Sequence, residues 1–465
     1  MPGFDQSGPE AFGRVRKFVF RSLGPLTAWQ GKTRGWLRIA ESISKKPLAV
    51  RLSPYLVEMM QKPLLLVFAV LTTSSAKDFP VADAAAFADA AKTVTAGDTL
   101  VLQDGTWADA RLKLQAEGTA EKPVTIKAQT PGKVVLTGDS RLSIAGQHII
   151  VDGLWFQNPT GEEAIELRID SDELASDCRI TNCAVTNELP AVPGKSARFV
   201  SIYGARNRID HCYIAGKTSE GTTMVVWLSN EAKDQGKHRI DHNHFGPRQR
   251  LGKNGGETIR IGDSKTSMQT AACVVEHNLF EKCDGEAECI SNKSCGNIYR
   301  FNTFKGVSGT LTLRHGNKCI VEGNLFDGAG AKGTGGVRVI GEYHVVTGNH
   351  FENLTGDKER SALCIMLGIP DSPANGYFQV KHAEIRGNSF INCDNNILIG
   401  MSGDKKATLP PVETYISDNY IDTSKGEAFE IKCAVDGVTT KNNSDRKSGQ
   451  SWEFIPEPAG PAWWK

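Results

Sequence analysis

A six-residue phrase recurs along the chain, in its clearest forms VEHNLF at 275–280, YRFNTF at 299–304 and VEGNLF at 321–326. Its fourth residue, usually Asn, returns at steps of 22 to 39 residues, at positions 154, 183, 212, 243, 278, 302, 324, 349, 388 and 419. The phrase alternates polar with apolar residues and is rich in Val, Ile and Phe, which is typical of short β-strands. This period predicts a parallel β-solenoid, in which each turn buries its apolar face against its neighbours.

Two other repeat architectures fit the phrase less well. Helical repeats are excluded because the apolar positions recur with period two. A β-propeller needs four strands in a blade of about 40–45 residues, and most of the steps are shorter than that. We therefore predict an all-β fold in which the recurrent Asn side chains stack at one corner and bond backbone groups of adjacent turns. Residues 79–92, FPVADAAAFADAAK, predict a short helix that caps the N-terminal end.

The composition limits the partners that the protein can attract. The 465 residues include 54 Lys and Arg against 53 Asp and Glu, and ten of the basic and four of the acidic residues lie in 1–58. Residues 59–465 therefore have 44 basic and 49 acidic residues, a balance that argues against a nucleic-acid partner. An anionic ligand must instead be held by a local cluster of cations. The longest apolar run, 64–71, is too short to span a membrane.

The N-terminal region predicts export. Residues 59–76, MMQKPLLLVFAVLTTSSA, have the lysine, the short apolar run and the small residues of a secretory signal peptide, with cleavage after Ala76. Because this segment lies far into the chain, we interpret 1–58 as a non-native upstream extension. The alternative is a buried strand at 64–71 in an N-terminal domain. The protein is then expected to be secreted or periplasmic, with a β-helix domain at 77–445 and an irregular C-terminal tail at 446–465.

The eleven cysteines include no CxxC pair, which argues against a zinc ribbon or a thioredoxin-like motif. Many of them lie in apolar strand patterns, such as ACVV at 272–275 and KCIV at 318–321, where cysteine behaves as a small core residue. Secretion would permit disulfides. For most of the cysteines we nevertheless predict buried free thiols.

Polar residues of unusual placement concentrate in four segments, NGGETIRIG (254–262), CDGEAECISNKS (283–294), TLTLRHG (310–316) and GGVRVIG (335–341). In a strand, residues i and i+2 share a face, so inward apolar residues leave the alternate ones outside. This pattern exposes, on the same strand of four consecutive turns, Arg260, the pair Glu286 and Glu288, Arg314 and Arg338. Stacked strands lie about 4.8 Å apart, so we expect these side chains to form one column.

The charged residues of this column leave alternatives open. Adjacent carboxylates such as Glu286 and Glu288 repel unless a cation lies between them, and the amide oxygen of Asn254 would add a third ligand that calcium prefers. The alternative is a plain surface pair. Lys293 lies 21 residues before Arg314, about one turn, and a neighbouring cation would favour a neutral Lys293 able to act as a general base. The alternative is a solvated lysine.

The segments NGGETIRIG, GEAE with the lysine that follows it, and LRHG resemble those of polysaccharide lyase family 6, the alginate lyase and chondroitinase B family. The resemblance extends to VLQDGTW (101–107) and IIVDGLWFQN (149–158) and covers most of 77–440. It implies a right-handed parallel β-helix and a Ca²⁺-assisted β-elimination of an acidic uronate polysaccharide, with alginate as the first choice. By motif position it implies metal ligands at Asn254, Glu286 and Glu288, the base at Lys293, the acid at Arg314, and substrate-binding residues at Arg260, His315 and Arg338.

Other functions remain open at this point. A dermatan or chondroitin sulfate lyase would need extra basic residues in its subsites. A C5-epimerase could use the same solenoid, but a glycoside hydrolase needs two carboxyl groups that flank the bond, and Glu286 and Glu288 adjoin on one face. A non-catalytic polysaccharide-binding solenoid would keep the arginines alone. The spacing of His238, His242 and His244 also suggests a metal site, although two of them flank the corner residue Asn243.

The interpretation of the N-terminus is testable on exported protein. If 1–58 is an upstream extension and 59–76 a signal peptide, mature protein collected outside the cytoplasm should begin at or close to Lys77. N-terminal sequencing of that material, with the cytoplasmic precursor as the comparison, measures the start directly. Exported protein that begins before Met59 would contradict the interpretation.

Overall fold

Each copy of the six-residue phrase folds as a short strand, a sharp corner and a second short strand. In the turn around Asn243, Arg239–Asp241 precedes the corner and His244–Phe245 follows it. The chain then passes through Ile259–Ile261 before the next turn begins at Val274–Glu276. These strands pair in parallel with their equivalents in the adjacent turns. The result is three sheets of 14, 13 and 12 strands, which confirms the predicted parallel β-helix.

The computed structural model describes residues 75–190, 196–444 and 456–464. The predicted upstream extension, nearly all of the predicted signal peptide and the first part of the tail lie outside the described residues.

The strands of the three sheets follow one another in chain order, with two additional pairings at the N-terminal end of sheet 2. Sheet 1 contains Asp78–Val81, Thr99–Leu102, Val124–Ala128, Ile149–Asp152, Arg179–Thr181, Arg208–Asp210, Arg239–Asp241, Val274–Glu276, Ile298–Arg300, Ile320–Glu322, Val345–Thr347, Glu384–Arg386, Thr414–Ser417 and Val438–Lys441. Sheet 2 contains Arg111–Glu117, Arg141–Gln147, Glu163–Glu166, Ala175–Ser176, Arg198–Ile202, Met224–Val226, Ile259–Ile261, Glu288–Lys293, Thr310–His315, Val337–Val339, Leu363–Met366, Ile397–Met401 and Phe429–Ile431. Sheet 3 contains Gly105–Ala108, Val134–Gly138, Leu154–Pro159, Ala184–Thr186, Tyr213–Ala215, His244–Phe245, Leu279–Glu281, Thr303–Lys305, Leu325–Asp327, His350–Glu352, Ser389–Ile391 and Tyr420–Ile421.

A short α-helix, Ala84–Ala91, covers the N-terminal end of the solenoid, as predicted. The Asp83 side chain caps it by accepting a hydrogen bond from the backbone nitrogen of Ala86 at 2.8 Å. Phe87, on this helix, is buried in the hydrophobic core with residues of the first turns. A 3₁₀ helix at Lys358–Arg360 lies beside sheet 2. No helix in the described part of the chain has the length and hydropathy needed to cross a membrane.

Asn side chains form a continuous ladder at the corner between sheets 1 and 3, which confirms the predicted stack. It runs through Asn243, Asn278, Asn302, Asn324, Asn349, Asn388, Asn419 and Asn443. Nδ2 of Asn324 donates to the carbonyls of Tyr299 (2.9 Å) and Glu322 (3.1 Å) and to Oδ1 of Asn349 (2.8 Å). Its Oδ1 accepts from N and Nδ2 of Asn302 at 2.9 and 3.0 Å. One buried amide therefore fixes three turns in register.

Phenylalanines and cysteines fill the interior beside this ladder. Six buried rings stack in consecutive turns with centroids 4.5 to 4.9 Å apart, at Phe245, Phe280, Phe304, Phe326, Phe351 and Phe390. Burial of each such side chain contributes about 1.5–3 kcal/mol relative to an exposed one. All eleven cysteines are free and nine are buried, which confirms the prediction of unpaired thiols.

The residue before each ladder Asn takes the left-handed backbone conformation that the corner requires. Later turns have glycine there, at Gly323, Gly348 and Gly387. Other turns have a non-glycine residue there, such as Phe301 and Asp418, and two have histidine, at His242 and His277, with φ values of 55 and 54°. His211, with a φ value of 52°, takes the same conformation before Cys212 at the equivalent corner of the preceding turn. A non-glycine residue in this conformation costs roughly 1–2 kcal/mol. The three imidazole rings stack along the outside of the corner, with successive centroids 5.0 and 5.1 Å apart.

The described part of the C-terminal tail, 456–464, has no helix or strand and lies along the same corner. The backbone nitrogen of Gly460 donates to the carbonyl of His242 at 2.8 Å. Nε1 of Trp463 donates to the carbonyl of Asn182 at 2.8 Å, and the ring of Trp464 stacks on Tyr213 with centroids 4.6 Å apart. The tail thus crosses several turns of the β-helix.

Substitution of a ladder residue should destabilise the fold much more than substitution of an exposed asparagine. Asn324→Ala removes five hydrogen bonds from a buried corner, and each buried group left unpaired costs about 1–3 kcal/mol. We expect a loss of about 3 kcal/mol or more in the free energy of unfolding, measured by urea denaturation. The exposed Asn230 is the matched control, and Asn230→Ala should change stability by no more than about 0.5 kcal/mol. Equal losses in the two variants would contradict a stabilising ladder.

Candidate active site

Four consecutive strands of sheet 2 bring the sequence-predicted site residues to one face. These strands are Ile259–Ile261, Glu288–Lys293, Thr310–His315 and Val337–Val339. Their inward residues are buried, so the charged residues between them face outward, as predicted. Asn254, Glu286, Glu288 and Arg338 line one open cavity of about 490 Å³. We call this cavity, together with Arg260, Lys293 and Arg314, the groove in sheet 2.

The predicted single column of charges is wrong in register. Arg260 lies opposite Ser291, which is followed in the next turns by Thr312 and Arg338. The strand Glu288–Lys293 carries two shifts of register, one between Glu288 and Ile290 and one between Asn292 and Lys293. These irregularities pair Lys293 with His315 rather than with Arg314. The charged groups therefore spread across the face in neighbouring columns, which widens the groove.

The Glu286 carboxylate is held by the glycine segment of the previous turn. Its Oε2 accepts hydrogen bonds from the backbone nitrogens of Gly255 (2.9 Å) and Gly256 (3.3 Å). Burial and the neighbouring carboxylates of Glu257 and Glu288 nevertheless raise the pKa of Glu286 to about 7. The site therefore concentrates negative charge at a point where a cation would relieve it.

Glu288 joins the carboxylates to the arginines. Its Oε1 forms an ion pair with Nη2 of Arg338 and lies 3.8 Å from Nε of Arg314. Its Oε2 accepts a hydrogen bond from Oγ of Ser291 at 2.5 Å. Because both arginines are largely buried, these contacts operate at low dielectric and fix the carboxylate in the groove.

Glu257 is a third carboxylate of the site, which the sequence analysis did not single out. Its side chain is 2% exposed, and its Oε1 lies 4.0 Å from Nζ of Lys293. Within the described residues, its Oε2 is buried without a hydrogen-bond partner. The signal that could have found it is its position in NGGET, three residues after Asn254, in the turn that faces Glu286 and Glu288.

The donor set of the groove suits a hard divalent cation. Carboxylate oxygens of Glu286 and Glu288 and the amide of Asn254 line the same cavity, and the unpaired oxygen of Glu257 lies close by. Calcium takes six to eight oxygen ligands of these types, with water completing the shell. The three residues predicted as metal ligands are therefore brought together by the fold.

Arg314 is held on its outer side by the loop that contains Tyr377. Its Nη1 donates to the carbonyl of Gly376 at 2.5 Å and its Nη2 to the carbonyl of Asn375 at 3.1 Å. The guanidinium lies 4.2 Å from the centroid of the Tyr377 ring. Burial lowers the pKa of Arg314 from its usual value, which makes its protons easier to donate.

His315 lies beneath Arg314 and is only 2% exposed. Burial and the nearby charges of Arg314 and Lys293 lower the pKa of His315 to about 3, so its ring is neutral. Nδ1 of this neutral ring lies 3.4 Å from Nη1 of Arg314 and can accept a hydrogen bond from it. Nε2 lies 3.3 Å from Oγ of Ser264. The structure thus places the predicted substrate-binding His315 as a support for Arg314 rather than on the open surface of the groove.

Arg260 and Arg338 occupy the two ends of the same outward column. The guanidinium of Arg260 lies 4.9 Å from the Trp227 ring, and its Nε is buried without a partner among the described residues. Arg338 is 6% exposed and bonds Glu288. The Arg260 side chain is more exposed than that of Arg338, so it can contact a ligand in the groove directly. Arg338 instead bonds the carboxylate of Glu288.

Arg248 organises the glycine segment and was missed from the sequence. The guanidinium is 4% exposed and donates to the carbonyls of Gly221 (2.9 Å) and Glu257 (2.6 Å) and to Oγ1 of Thr223 (3.0 Å). Burial lowers the pKa of Arg248 to about 10. Three further cations that the sequence analysis did not place line the cavity, Arg250, Lys253 and Arg360.

The metal site suggested by the spacing of His238, His242 and His244 does not form. His238 is 1% exposed, and its Nδ1 accepts from the backbone nitrogen of Asn207 at 3.1 Å. Burial lowers the pKa of His238 to about 3, so it is a neutral interior residue. Nε2 of His244 instead faces Glu281 on sheet 3, at 3.4 Å. The strand and corner geometry sends the three rings in different directions.

Comparison with solved structures gives relatives of the same architecture. The alginate lyase AlyGC of polysaccharide lyase family 6 matches with a TM-score of 0.76 and 41% identity, over 79% of this chain and 51% of its own. A mannuronic-acid-specific family 6 lyase from human gut microbiota matches with a TM-score of 0.73 and 29% identity, over 83% of this chain and 97% of its own. The family 6 lyase Pedsa3628 from Pseudopedobacter saltans shares the fold at 21% identity and a TM-score of 0.68, over 83% and 100%.

This chain spans about half the length of AlyGC, 51% of that protein. A comparison with curated proteins gives no match. The family model described as chondroitinase B matches residues 81–454, which includes the whole of the groove in sheet 2. The chain therefore belongs to the chondroitinase B family, within polysaccharide lyase family 6, as its sequence motifs predicted.

Proposed function

We propose that this protein is a lyase that cleaves alginate by calcium-assisted β-elimination at a 4-linked uronate. The observation that carries the proposal is the meeting of a lysine, an arginine and a carboxylate cluster in one groove. Nζ of Lys293 lies 4.0 Å from Oε1 of Glu257, and Nε of Arg314 lies 3.8 Å from Oε1 of Glu288. A base, a cation for the leaving oxygen and a metal-binding cluster are the three parts that elimination next to a carboxylate requires.

Asn254, Glu286 and Glu288 are the residues proposed to hold the calcium ion, with Glu257 as an additional carboxylate beside them. Calcium, when bound, neutralises the uronate carboxylate and stabilises the enolate-like charge that develops when the adjacent C5 proton leaves. Gly255 and Gly256 orient Glu286 through their backbone nitrogens. Backbone nitrogens thus orient Glu286, and Ser291 and Arg338 orient Glu288, before a substrate binds.

Lys293 is the proposed general base. Its side chain is 16% exposed, so its Nζ can reach a substrate in the groove while most of the side chain is packed. In the reaction, Nζ takes the C5 proton, the C4–oxygen bond breaks and a C4–C5 double bond forms. Arg314, supported by His315 and by the carbonyl of Gly376, is the group that we propose to stabilise or protonate the departing oxygen.

The cations of the groove are proposed to bind the polymer. Arg260, Lys253, Arg250 and Arg360 supply positive charge on a chain whose 59–465 part is acidic, so the attraction is confined to the groove. The same cations favour a second candidate, a dermatan or chondroitin sulfate lyase, because a sulfated substrate needs more basic contacts. We prefer alginate because of two of the relatives reported above, both more than 25% identical to this chain. One is AlyGC, an alginate lyase, and the other is a mannuronic-acid-specific lyase.

Incubation of the full chain with alginate and, separately, with dermatan sulfate distinguishes the two substrates. Elimination leaves an unsaturated uronate whose ultraviolet absorbance reports turnover. Absorbance with alginate alone supports the first proposal, and absorbance with dermatan sulfate alone supports the second. A protein that binds either polymer without any increase in absorbance would be a binding solenoid.

We also propose that the protein acts outside the cytoplasm. The signal-peptide pattern at 59–76 supports this location, as does a substrate that is a large extracellular polymer. The free buried cysteines fit either compartment, because nine of them are enclosed in the core and shielded from oxidants.

Replacement of a proposed calcium ligand should lower activity in a way that added calcium partly restores. Glu288→Gln keeps the side-chain volume but removes a charge, and we expect at least a tenfold fall in kcat/KM at limiting calcium. Glu281→Gln, on sheet 3 away from the groove, is the matched control and should retain full activity. Turnover by protein freed of calcium with EGTA at the rate of the calcium-loaded protein would show that the metal assignment is wrong.

Lys293→Arg should be nearly as inactive as Lys293→Ala. Arginine keeps the positive charge but stays protonated near neutral pH, so it can attract a uronate without removing its proton. A general base contributes about 10²–10⁴-fold in rate, and we expect a fall of that size in kcat at saturating substrate. Oligosaccharide binding, measured by calorimetry, should persist in the Arg variant.

The exposed Lys305 on sheet 3 supplies the control for this experiment, since Lys305→Arg makes the same chemical change outside the groove. It should leave kcat unchanged. Retention of more than about a tenth of the parent turnover by Lys293→Arg would remove Lys293 from the role of base.

A further inference from the structure

The tail and two turns of the solenoid meet at a point outside the groove in sheet 2. His242 and His277 occupy the corner between sheets 1 and 3 in consecutive turns, with rings stacked 5.1 Å apart. Oε2 of Glu457, from the tail, lies 2.7 Å from Nε2 of His242, and Oε1 lies 3.4 Å from Nδ1 of His277. The three ligand atoms all lie within 4.8 Å of one another.

The other nitrogen of His242 has the partner that a metal-binding histidine normally has. Its Nδ1 lies 2.8 Å from Oδ2 of Asp241, a fully buried carboxylate that also bonds Arg208 at 2.8 and 2.6 Å. A carboxylate at Nδ1 fixes the tautomer that carries its proton there, and it leaves the lone pair of Nε2 directed outward. His242 therefore presents Nε2 toward Glu457 as an acceptor unless a cation is present.

A neutral His242 and an ionised Glu457 cannot share this contact, because both atoms would be acceptors. A positive charge is needed between them, either a second proton on His242 or a metal ion. Nδ1 of His277 also lies 3.4 Å from the carboxylate, so a metal ion at this point would bind three ligand atoms, whereas a second proton on His242 bonds only one oxygen of Glu457.

We propose that His242, His277 and Glu457 form a transition-metal site, suited to Zn²⁺, that fastens the C-terminal tail to the solenoid. Two imidazole nitrogens and a carboxylate oxygen are a common zinc donor set, with water in the fourth position. Side chains 15%, 23% and 53% exposed leave room for that water. Zinc–ligand bonds of about 2.1 Å put tetrahedral ligand atoms about 3.4 Å apart, which lies within the range of separations in this set, from 2.7 Å to no more than 4.8 Å.

The left-handed backbone at this corner fixes where the two rings project. His242 and His277 have φ values of 55 and 54°, and Phe301 and Asp418 take the same conformation in later turns, with φ values of 55 and 57°. The site also lies where the tail already bonds the solenoid, through Gly460 N and the carbonyl of His242. A metal there would join two turns and the tail through side chains that the proposed lyase reaction does not use.

The test is zinc binding by the full chain, measured calorimetrically with Zn²⁺ alone as the titrant. The protein is first freed of metal with EDTA and then held in millimolar calcium, so that the oxygen ligands of the groove are occupied. We expect one Zn²⁺ per chain with a dissociation constant of micromolar or below. His277→Ala and Glu457→Gln should each weaken binding at least tenfold, and Co²⁺ should give the visible bands of a tetrahedral N/O site in the parent but not in these two variants.

His211→Ala is the matched control, because His211 belongs to the same stack of rings but faces Asp210 rather than Glu457. It should bind zinc as the parent does. Glu457→Gln changes one exposed side chain in the tail, so a loss of binding in that variant cannot arise from a failure of the solenoid to fold. Absence of zinc binding by the parent, or binding by His277→Ala or Glu457→Gln as tight as that of the parent, would overturn the proposal.

Discussion

Hydrogen bonds from a buried side-chain amide to the backbone of two adjacent turns set the register on which the rest of the structure depends. A parallel β-helix has no covalent device that keeps one turn above the next, and its short strands offer only two or three hydrogen bonds each. The Asn ladder supplies the missing constraint, because each amide bonds its own turn and both neighbours. Because the ladder fixes this corner, the phenylalanine stack and the strands of sheet 2 are also held in register. The side chains of the groove in sheet 2 therefore have fixed positions along the axis of the β-helix.

The groove uses this register to hold charges that would otherwise repel. Glu257, Glu286 and Glu288 come from two consecutive turns, and the arginines that approach Glu288, Arg314 and Arg338, come from the two turns that follow. Backbone nitrogens of Gly255 and Gly256 add two neutral donors. Repulsion among these buried carboxylates is a cost to folding that a bound divalent cation would offset. The groove therefore combines a local cationic rim with an anionic centre, on a chain whose 59–465 part has more acidic than basic residues.

The sequence was sufficient to predict the solenoid, the capping helix, the Asn ladder and the strand that carries the site, because all of them depend on periodicity. Asn254, Glu286, Glu288, Lys293 and Arg314 were found by that route together with the family resemblance. The register of these residues relative to one another could not be predicted, because the two irregularities in Glu288–Lys293 depend on packing against both neighbouring strands. Glu257 and Arg248 were missed because their roles arise from contacts across turns, with Lys293 and with the glycine segment.

The corner that fixes the register also determines where the chain can place groups on its outer surface. The residue before each ladder Asn must adopt a left-handed backbone, so it projects at the same place in every turn, one strand spacing from the next. Side chains at that position therefore stack whatever they are, and the stack can bind something only if a further group crosses it. The tail provides that group at Glu457, far along the sequence, so no local pattern of residues could indicate the meeting. Spacing along the chain suggested His238, His242 and His244, whereas spacing between turns brings together His242 and His277. In a solenoid, two residues can form a site when few turns separate them, however far apart they lie in the sequence. The Asn ladder fixes the register of the turns, so it determines which residues of neighbouring turns lie side by side.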